Sequence, residues 1–183
     1  MKTPFVVAAT FAVATLTADA HALPTVGAAG PRGTVVDAEG RPLDLQQIKG
    51  KPTLLVYEDK EATKQNVELK SELAKLAAGG NYTQAIALVA VADVEGYDFW
   101  PARGFVKSAI RSESKKLGST IYVDWSGGVR KGAGFTKGQS TIVLVGADGK
   151  VLFSHEGKMA IPERKALLAL LAQQVEAQLA ANH

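Results

Sequence analysis

The amino-acid sequence predicts a single α/β domain, a three-layer sandwich in which helices cover both faces of a mixed central sheet. Two continuous apolar segments, 53–57 and 85–92, flank a helix-like segment, which is the order of a βαβ unit whose strands are covered on both faces. Two later strand-like segments flank Asp148-Gly149, as in an antiparallel hairpin. The 183 residues, 46% of them hydrophobic, suffice for one core but not for two ordinary domains.

The first elements of the domain are short. Residues 32–36 and the turn at Gly40 predict a strand, and a connecting segment packs through Leu43, Leu45 and Ile48. After Pro52, a buried strand covers residues 53–57.

A helix is predicted from residue 60 to residue 78. Asp59 has the side chain of an N-cap, and Gly79-Gly80 ends the segment in the way that helix C-termini prefer. Four apolar residues of this segment lie near one face: Ala62, Leu69, Leu73 and Leu76.

The second half begins with a helix over residues 103–117, closed by Gly118, with Val106, Ile110 and Leu117 on its inner face. A strand at 120–123 and a glycine-rich loop from Asp124 to Gly138 follow. The hairpin strands cover residues 141–145 and 151–154, and a last helix with Pro162 in its first turn runs to the C-terminus. Its apolar residues repeat every four positions: Leu167, Leu171, Val175 and Leu179.

The first 22 residues are predicted to be a cleaved signal peptide, and residues 23–183 the mature domain. Lys2 precedes an uncharged apolar segment, and Ala20 and Ala22 form the small-x-small pattern of a signal-peptidase site. This segment is too short and too rich in Ala and Thr for a stable membrane anchor. We therefore expect a periplasmic or secreted protein.

The chain has no cysteine. It therefore has no thiolate nucleophile, no internal disulfide and no metal site built on its own thiolates. Its formal charge of +3, from 21 basic and 18 acidic residues, is small, and the basic face of the helix at 103–117 lacks interleaved aromatic residues. A nucleic-acid partner is not expected.

The order of elements, the Gly40 turn, the entry to the first buried strand at residues 49–52 and the Asp148-Gly149 hairpin resemble the thioredoxin-like superfamily, in its branch of alkyl hydroperoxide reductases and thiol-specific antioxidant proteins. Other segments resemble the uncharacterised periplasmic YtfJ-type family. These are residues 105–108, 113–117, 122–124, 143–145 and 148–151. The resemblance implies a thioredoxin-like fold over the whole mature chain.

The chain departs from the superfamily at its redox site. The resemblance places the reactive cysteine in the turn after the first buried strand, where this chain has Glu58, Asp59, Lys60 and Glu61. It places a cis-proline just before the first hairpin strand, where this chain has Ser140, and we expect a trans peptide there. Cysteine-dependent peroxidase or oxidoreductase activity is excluded, and a retired redox site is indicated.

The carboxylates of that turn permit two interpretations. Asp59 and Glu61 are favourable near a helix N-terminus, as a cap and a first-turn acid. Alternatively, they join Asp124 in holding a hard cation, which would support a metal-assisted enzyme without thiol chemistry. No metal site and no cofactor is predicted, because the chain lacks a dinucleotide or phosphate-binding motif of the right spacing.

The preferred hypothesis is a binding protein that takes a peptide, a periplasmic protein or a small ligand at the former active-site edge. Aromatic residues follow two strands at the edge where open α/β sheets bind ligands. The candidate edge comprises Glu58, Asp59, Lys60, Glu61, Tyr97, Phe99, Trp100, Trp125, Gln139, Ser140 and Thr141. The sequence names neither the ligand nor the oligomeric state.

Overall fold

The computed structural model describes residues 23–181, and the predicted signal peptide with its cleavage site lies outside them. A seven-stranded mixed sheet has the strand order β2-β1-β5-β4-β3-β6-β7. The strands are β1 (Thr34–Val36), β2 (Pro42–Asp44), β3 (Thr53–Glu58), β4 (Ala87–Asp93), β5 (Ile121–Asp124), β6 (Thr141–Val145) and β7 (Val151–Glu156). The helices are α1 (Val67–Ala77), α2 (Asn81–Ala85), α3 (Ala102–Leu117), α4 (Gly128–Ala133) and α5 (Ile161–Ala181).

Strand β3 lies in the interior of the sheet, where it is flanked by β4 and β6. It runs parallel to β4 with Tyr57 opposite Val91, and antiparallel to β6 with Tyr57 opposite Thr141. Strand β5 continues the parallel part of the sheet beside β4. Five of the six residues of β3 are buried, as its continuous apolar sequence predicts for a strand covered on both faces.

Alternate residues of β3 pack into two different apolar clusters. Leu54 and Val56 join residues of α1 and α5, with Leu167 and Leu171 fully buried. Leu55 and Tyr57 join Val129 of α4 and Phe135 on the opposite face. Helices therefore cover both faces of the sheet, which confirms the predicted three-layer α/β architecture.

The predicted helix at 60–78 is shorter in the structure. Residues Ala62–Lys64 form a 3-10 turn, and α1 begins only at Val67. The buried residue Asn66 lies between the 3-10 turn and α1. Its side chain forms hydrogen bonds with Ser140, just before β6, and Gly157, just after β7, rather than with the helix. Beyond Gly79-Gly80 the chain adds the short helix α2, which the sequence analysis did not predict.

Two further predictions need correction. The segment from Asp124 to Gly138 contains the helix α4, whose first amides are held by Asp124, instead of being loop throughout. Leu117, expected on the inner face of α3, is 63% exposed, and no residue of this helix is buried. The strand β2 was also not predicted.

The helix α3 ends as its sequence predicts. Gly118 adopts a left-handed conformation (φ 61°), and its amide and that of Ser119 satisfy carbonyls of the last turn. Among residues 23–181, no helix has the length and apolar character needed to span a bilayer.

Candidate functional site

The candidate edge lies where β3, β4 and β5 end and β6 begins. The register pairs Glu58 with Ala92 and Asp93 with Asp124, so three strand termini bring carboxylates to the same edge. Strand β6 runs antiparallel to β3. Its first residue, Thr141, and the preceding Ser140 therefore lie at this same edge. The fold thus brings together the segments that the sequence analysis assigned to the former redox site.

Ser140 is at the centre of a buried hydrogen-bond cluster, which we call the serine cluster (Glu58, Gln65, Asn66, Lys70 and Ser140). The Ser140 hydroxyl donates to Glu58 Oε1 at 2.7 Å and accepts from Asn66 Nδ2 at 2.9 Å. Its amide donates to Gln65 Oε1 at 2.9 Å. Ser140 has no exposed surface, so its hydroxyl is fully engaged within the protein.

Asn66 connects the same cluster to the segment before α5. Its amide group donates to the Gly157 carbonyl at 2.9 Å, and its carbonyl oxygen accepts from the Met159 amide at 2.8 Å. The side chain is buried, and its three partners leave it well satisfied. Asn66 therefore ties the start of α1 to two distant segments at once.

Lys70 compensates the charge that the serine cluster buries. Its ammonium lies 2.9 Å from Glu58 Oε2 and donates to the Thr63 carbonyl at 2.5 Å. The Glu58 side chain is only 11% exposed, so an unpaired carboxylate there would be costly. Glu58 and Lys70 therefore form an ion pair at this edge.

Asp59 closes the turn that follows β3. Its Oδ1 atom accepts from the amides of Glu61 and Ala62, and its Oδ2 atom accepts from the Gly138 amide at 2.6 Å. The carboxylate therefore caps the 3-10 turn and fastens it to the loop before β6. Both oxygens are used by backbone donors.

A second buried set, which we call the arginine cluster, comprises Tyr57, Asp93, Glu95, Asp124 and Arg130. Tyr57 donates to Asp124 Oδ2 at 3.0 Å, while the Asp124 carboxylate also accepts from the amides of Gly128 and Val129. Burial, reinforced by the charges of Asp124 and Asp93, raises the pKa of the Tyr57 hydroxyl above its ordinary value. Tyr57 therefore remains a protonated donor.

Arg130 bridges the two other acids of the arginine cluster. Its Nε donates to Asp93 Oδ2 at 2.7 Å, and its Nη2 pairs with Glu95 Oε2. Lys131 also pairs with Glu95. The hydrogen bond from Lys131, aided by the Arg130 charge and opposed by burial, lowers the pKa of Glu95.

These contacts bear on the metal-assisted alternative. Asp59 and Asp124 are held by separate sets of donors, and Glu61 is exposed. Within the described part of the chain, no group of three or more His, Asp or Glu side chains is arranged to hold a metal ion. The metal-assisted enzyme hypothesis requires carboxylates that converge on one point, and the described residues do not show such a group.

The exposed part of the edge is aromatic. Tyr97, Phe99 and Trp100 are 45%, 58% and 91% exposed, and we call them the aromatic surface. Trp125 is half-buried beside them, with the Arg103 guanidinium 4.9 Å from its ring centroid. Arg103 also pairs with Asp98 at 2.7 Å, which fixes its position.

The predicted edge residues thus separate into two groups. Ser140 and Thr141 are fully buried, and Glu58 and Asp59 are occupied by internal bonds. The others keep surface at this edge, wholly or in part: Lys60, Glu61, Tyr97, Phe99, Trp100, Trp125 and Gln139.

Sequence reasoning missed several residues of both clusters. Asp93 could have been found, because it ends a buried parallel strand just as Asp124 does. Asn66 and Arg130 carry no such local signal, since their partners Ser140 and Asp93 are 74 and 37 residues away.

The chain matches the sequence profile of a known protein family. The sequence profile described as "Bacterial protein of unknown function (YtfJ_HI0045)" matches residues 42–174. The chain belongs to this family. The match spans well over half of the sequence and includes both clusters and the aromatic surface. No curated protein matches the chain significantly.

Solved structures similar to this family member are thioredoxin-like and peroxiredoxin-like. The exposed lipoprotein thioredoxin Etrx1 of Streptococcus pneumoniae is 18% identical with a TM-score of 0.56, covering 78% of this chain and 98% of its own. Thiol peroxidase of Chromobacterium violaceum is 16% identical with a TM-score of 0.60, covering 83% and 88%. A peroxiredoxin-like protein of Aquifex aeolicus is 12% identical with a TM-score of 0.59, covering 84% and 89%. These likenesses establish the fold.

Replacing Asn66 tests the serine cluster. Asn66→Ala leaves the Met159 amide and the Gly157 carbonyl without their side-chain partner and removes one hydrogen bond of Ser140. We therefore expect the free energy of unfolding to fall by about 2–5 kcal/mol. Urea denaturation followed by circular dichroism measures the change. Asn81→Ala makes the same chemical change at an exposed position and should cost under about 1 kcal/mol. Equal losses in the two variants would contradict the structural role of Asn66.

Glu95 makes stability depend on pH in a defined direction. Because its pKa is lower in the folded state, its contribution is present above the ordinary carboxyl value of 4.5 and is lost as the pH falls through the folded value. We expect Glu95→Gln to lower the free energy of unfolding at neutral pH and to flatten its decline below about pH 4.5.

The matched control is Glu68→Gln, an exposed position on α1 with no ion pair among residues 23–181. Denaturant midpoints at a series of pH values should leave the control profile parallel to that of the parent. A Glu95→Gln profile equally parallel to the parent would show that the ion pairs of the arginine cluster contribute no pH dependence.

Proposed function

We propose that this protein is exported to the periplasm without its first 22 residues and acts there as a redox-inactive binding protein. In this proposal, the aromatic surface engages an extended peptide or a loop of another protein. The observation that carries the proposal is the exposure of Tyr97, Phe99 and Trp100 together at the edge where thioredoxin-like proteins act.

The aromatic surface has the composition of a protein-binding site. Contiguous exposed apolar groups mark interaction surfaces in soluble proteins, and Trp, Tyr and Arg dominate binding energy at such surfaces. Phe105, in the first turn of α3, is a further exposed aromatic residue, at 71%. The guanidinium of Arg103 lies within this area and offers a hydrogen-bonding group.

The shape of the surface favours a macromolecular ligand. Asp98, Phe99, Trp100, Arg103 and Lys107 line a shallow open groove of about 370 Å³. Small-molecule sites are mostly enclosed and bury the larger part of their ligand, which an open groove does not do. An extended segment, in contrast, can lay side chains against the rings.

The neighbouring polar groups support binding over catalysis. Glu58, Asp59, Ser140 and Asp124 make internal hydrogen bonds, and their role is to hold the edge rigid. With no thiol in the sequence, the rigid edge is a platform on which a ligand is held and released unchanged. Rigid elements lower the entropic cost of binding.

Photo-crosslinking tests the aromatic surface directly. We expect p-benzoylphenylalanine at position 100 to form a discrete adduct with a periplasmic protein in cells of the source bacterium. The matched control carries the probe at position 117, because Leu117 is 63% exposed and is the last residue of α3, the helix that begins two residues after Trp100. Overproduction of wild-type protein in the same cells should suppress the adduct, whereas overproduction of Phe99→Ser/Trp100→Ser protein should not. Adducts of equal yield at positions 100 and 117 would refute the proposed surface.

Export is tested separately. Fractionation of cells expressing the full chain should recover the protein in the periplasmic fraction, with Leu23 as its first residue by N-terminal sequencing, because Ala20 and Ala22 fit the peptidase pattern. Ala22→Arg should block this cleavage, while Ala28→Arg, outside the pattern, should not. Protein that keeps Met1 and stays in the cytoplasm would overturn the proposed location without bearing on the aromatic surface.

A further inference from the structure

A groove of about 380 Å³ lies at the end of the sheet opposite to the candidate edge. It opens between the first residues of β3 and the turn of the β6–β7 hairpin, with the segment Ala29–Arg32 along one side. Its volume falls in the range of small-molecule sites. None of the residues of the serine cluster, the arginine cluster or the aromatic surface lines it.

The interior of this groove is apolar. Leu55 at its floor is 2% exposed and belongs to the core, whereas Leu45, Ile48 and Val145 are half-buried and only partly covered by that core. Three aliphatic side chains therefore keep a solvent-facing part inside one concavity. A ligand with an apolar body would cover them and gain the free energy of removing that surface from water.

The rim of the groove carries two cations. Arg32 and Lys49 both line it, both are exposed, and neither forms an ion pair anywhere in residues 23–181. The Asp148 carboxylate on the opposite side accepts a hydrogen bond from the Lys150 amide within its own turn. The excess of free positive charge over an apolar interior complements a ligand with an anionic head and a hydrocarbon body.

From this combination we infer that the groove binds a small amphipathic carboxylate, with its hydrocarbon part on Leu45, Ile48 and Val145 and its carboxylate between Arg32 and Lys49. A guanidinium and an ammonium are the side chains that best recognise a carboxylate. This site is independent of the aromatic surface and of the proposed protein ligand.

Titration with sodium octanoate, followed by amide chemical shifts of the purified protein, tests this inference. We expect shifts confined to the groove, an affinity that increases from hexanoate to decanoate, and at least tenfold weaker binding of the neutral octanamide. Arg32→Gln/Lys49→Gln should weaken octanoate binding about tenfold or more. The matched control, Lys75→Gln/Lys115→Gln, removes two exposed lysines from α1 and α3 with the same change of charge and should leave the affinity unchanged.

Several results would overturn the inference. These are an absence of shifts at millimolar octanoate, shifts centred on the aromatic surface, equal affinities for octanoate and octanamide, or equal loss in the two double variants. Val145→Thr provides a second readout, since it keeps the shape of a groove wall and makes it polar. It should weaken binding of decanoate more than binding of hexanoate. An equal effect on both ligands would contradict the proposed contact between Val145 and the hydrocarbon chain.

Discussion

The hydrogen bonds of Asn66 and Ser140 are the constraint on which this end of the molecule depends. They join the start of α1, the start of β6 and the segment before α5, three parts of the chain that share no local contact. Because both side chains are buried, each unmade bond would leave a polar group without water or a partner. The interruption between the 3-10 turn and α1 is the geometric consequence, since Asn66 faces the sheet at that point.

Two ion-paired clusters fill the candidate edge. The serine cluster pairs Glu58 with Lys70, and the arginine cluster pairs Asp93 and Glu95 with Arg130. In each cluster the acids lie at or just beyond the last residue of a strand, while the cation comes from a helix. These acids therefore have partners within the protein, whereas Tyr97, Phe99 and Trp100 keep exposed surface at the same edge.

The sequence predicted the elements whose signal is local. The apolar strand at 53–57, the Asp148-Gly149 hairpin and the four-residue repeat of α5 each depend on neighbours along the chain, and the resemblance to thioredoxin-like proteins was sufficient to order them. Asn66 and Arg130 were missed because their roles depend on partners across the sheet. The prediction that Leu117 lies on the inner face of α3 was wrong. Periodicity places a residue on one face of a helix but does not show whether another element packs against that face.

Ser140 also limits what the protein could become. The resemblance to thioredoxin-like redox proteins implies a proline at this position, and proline has no amide hydrogen. Here the amide of Ser140 donates to Gln65 and its hydroxyl donates to Glu58, so a proline would lose both bonds at a fully buried position. A cysteine placed in the turn after β3 would meet Lys70 and Glu58 already paired. A return to thiol chemistry therefore requires more than one substitution, because the bonds of Ser140 and the Glu58–Lys70 pair must be replaced together with the missing thiol.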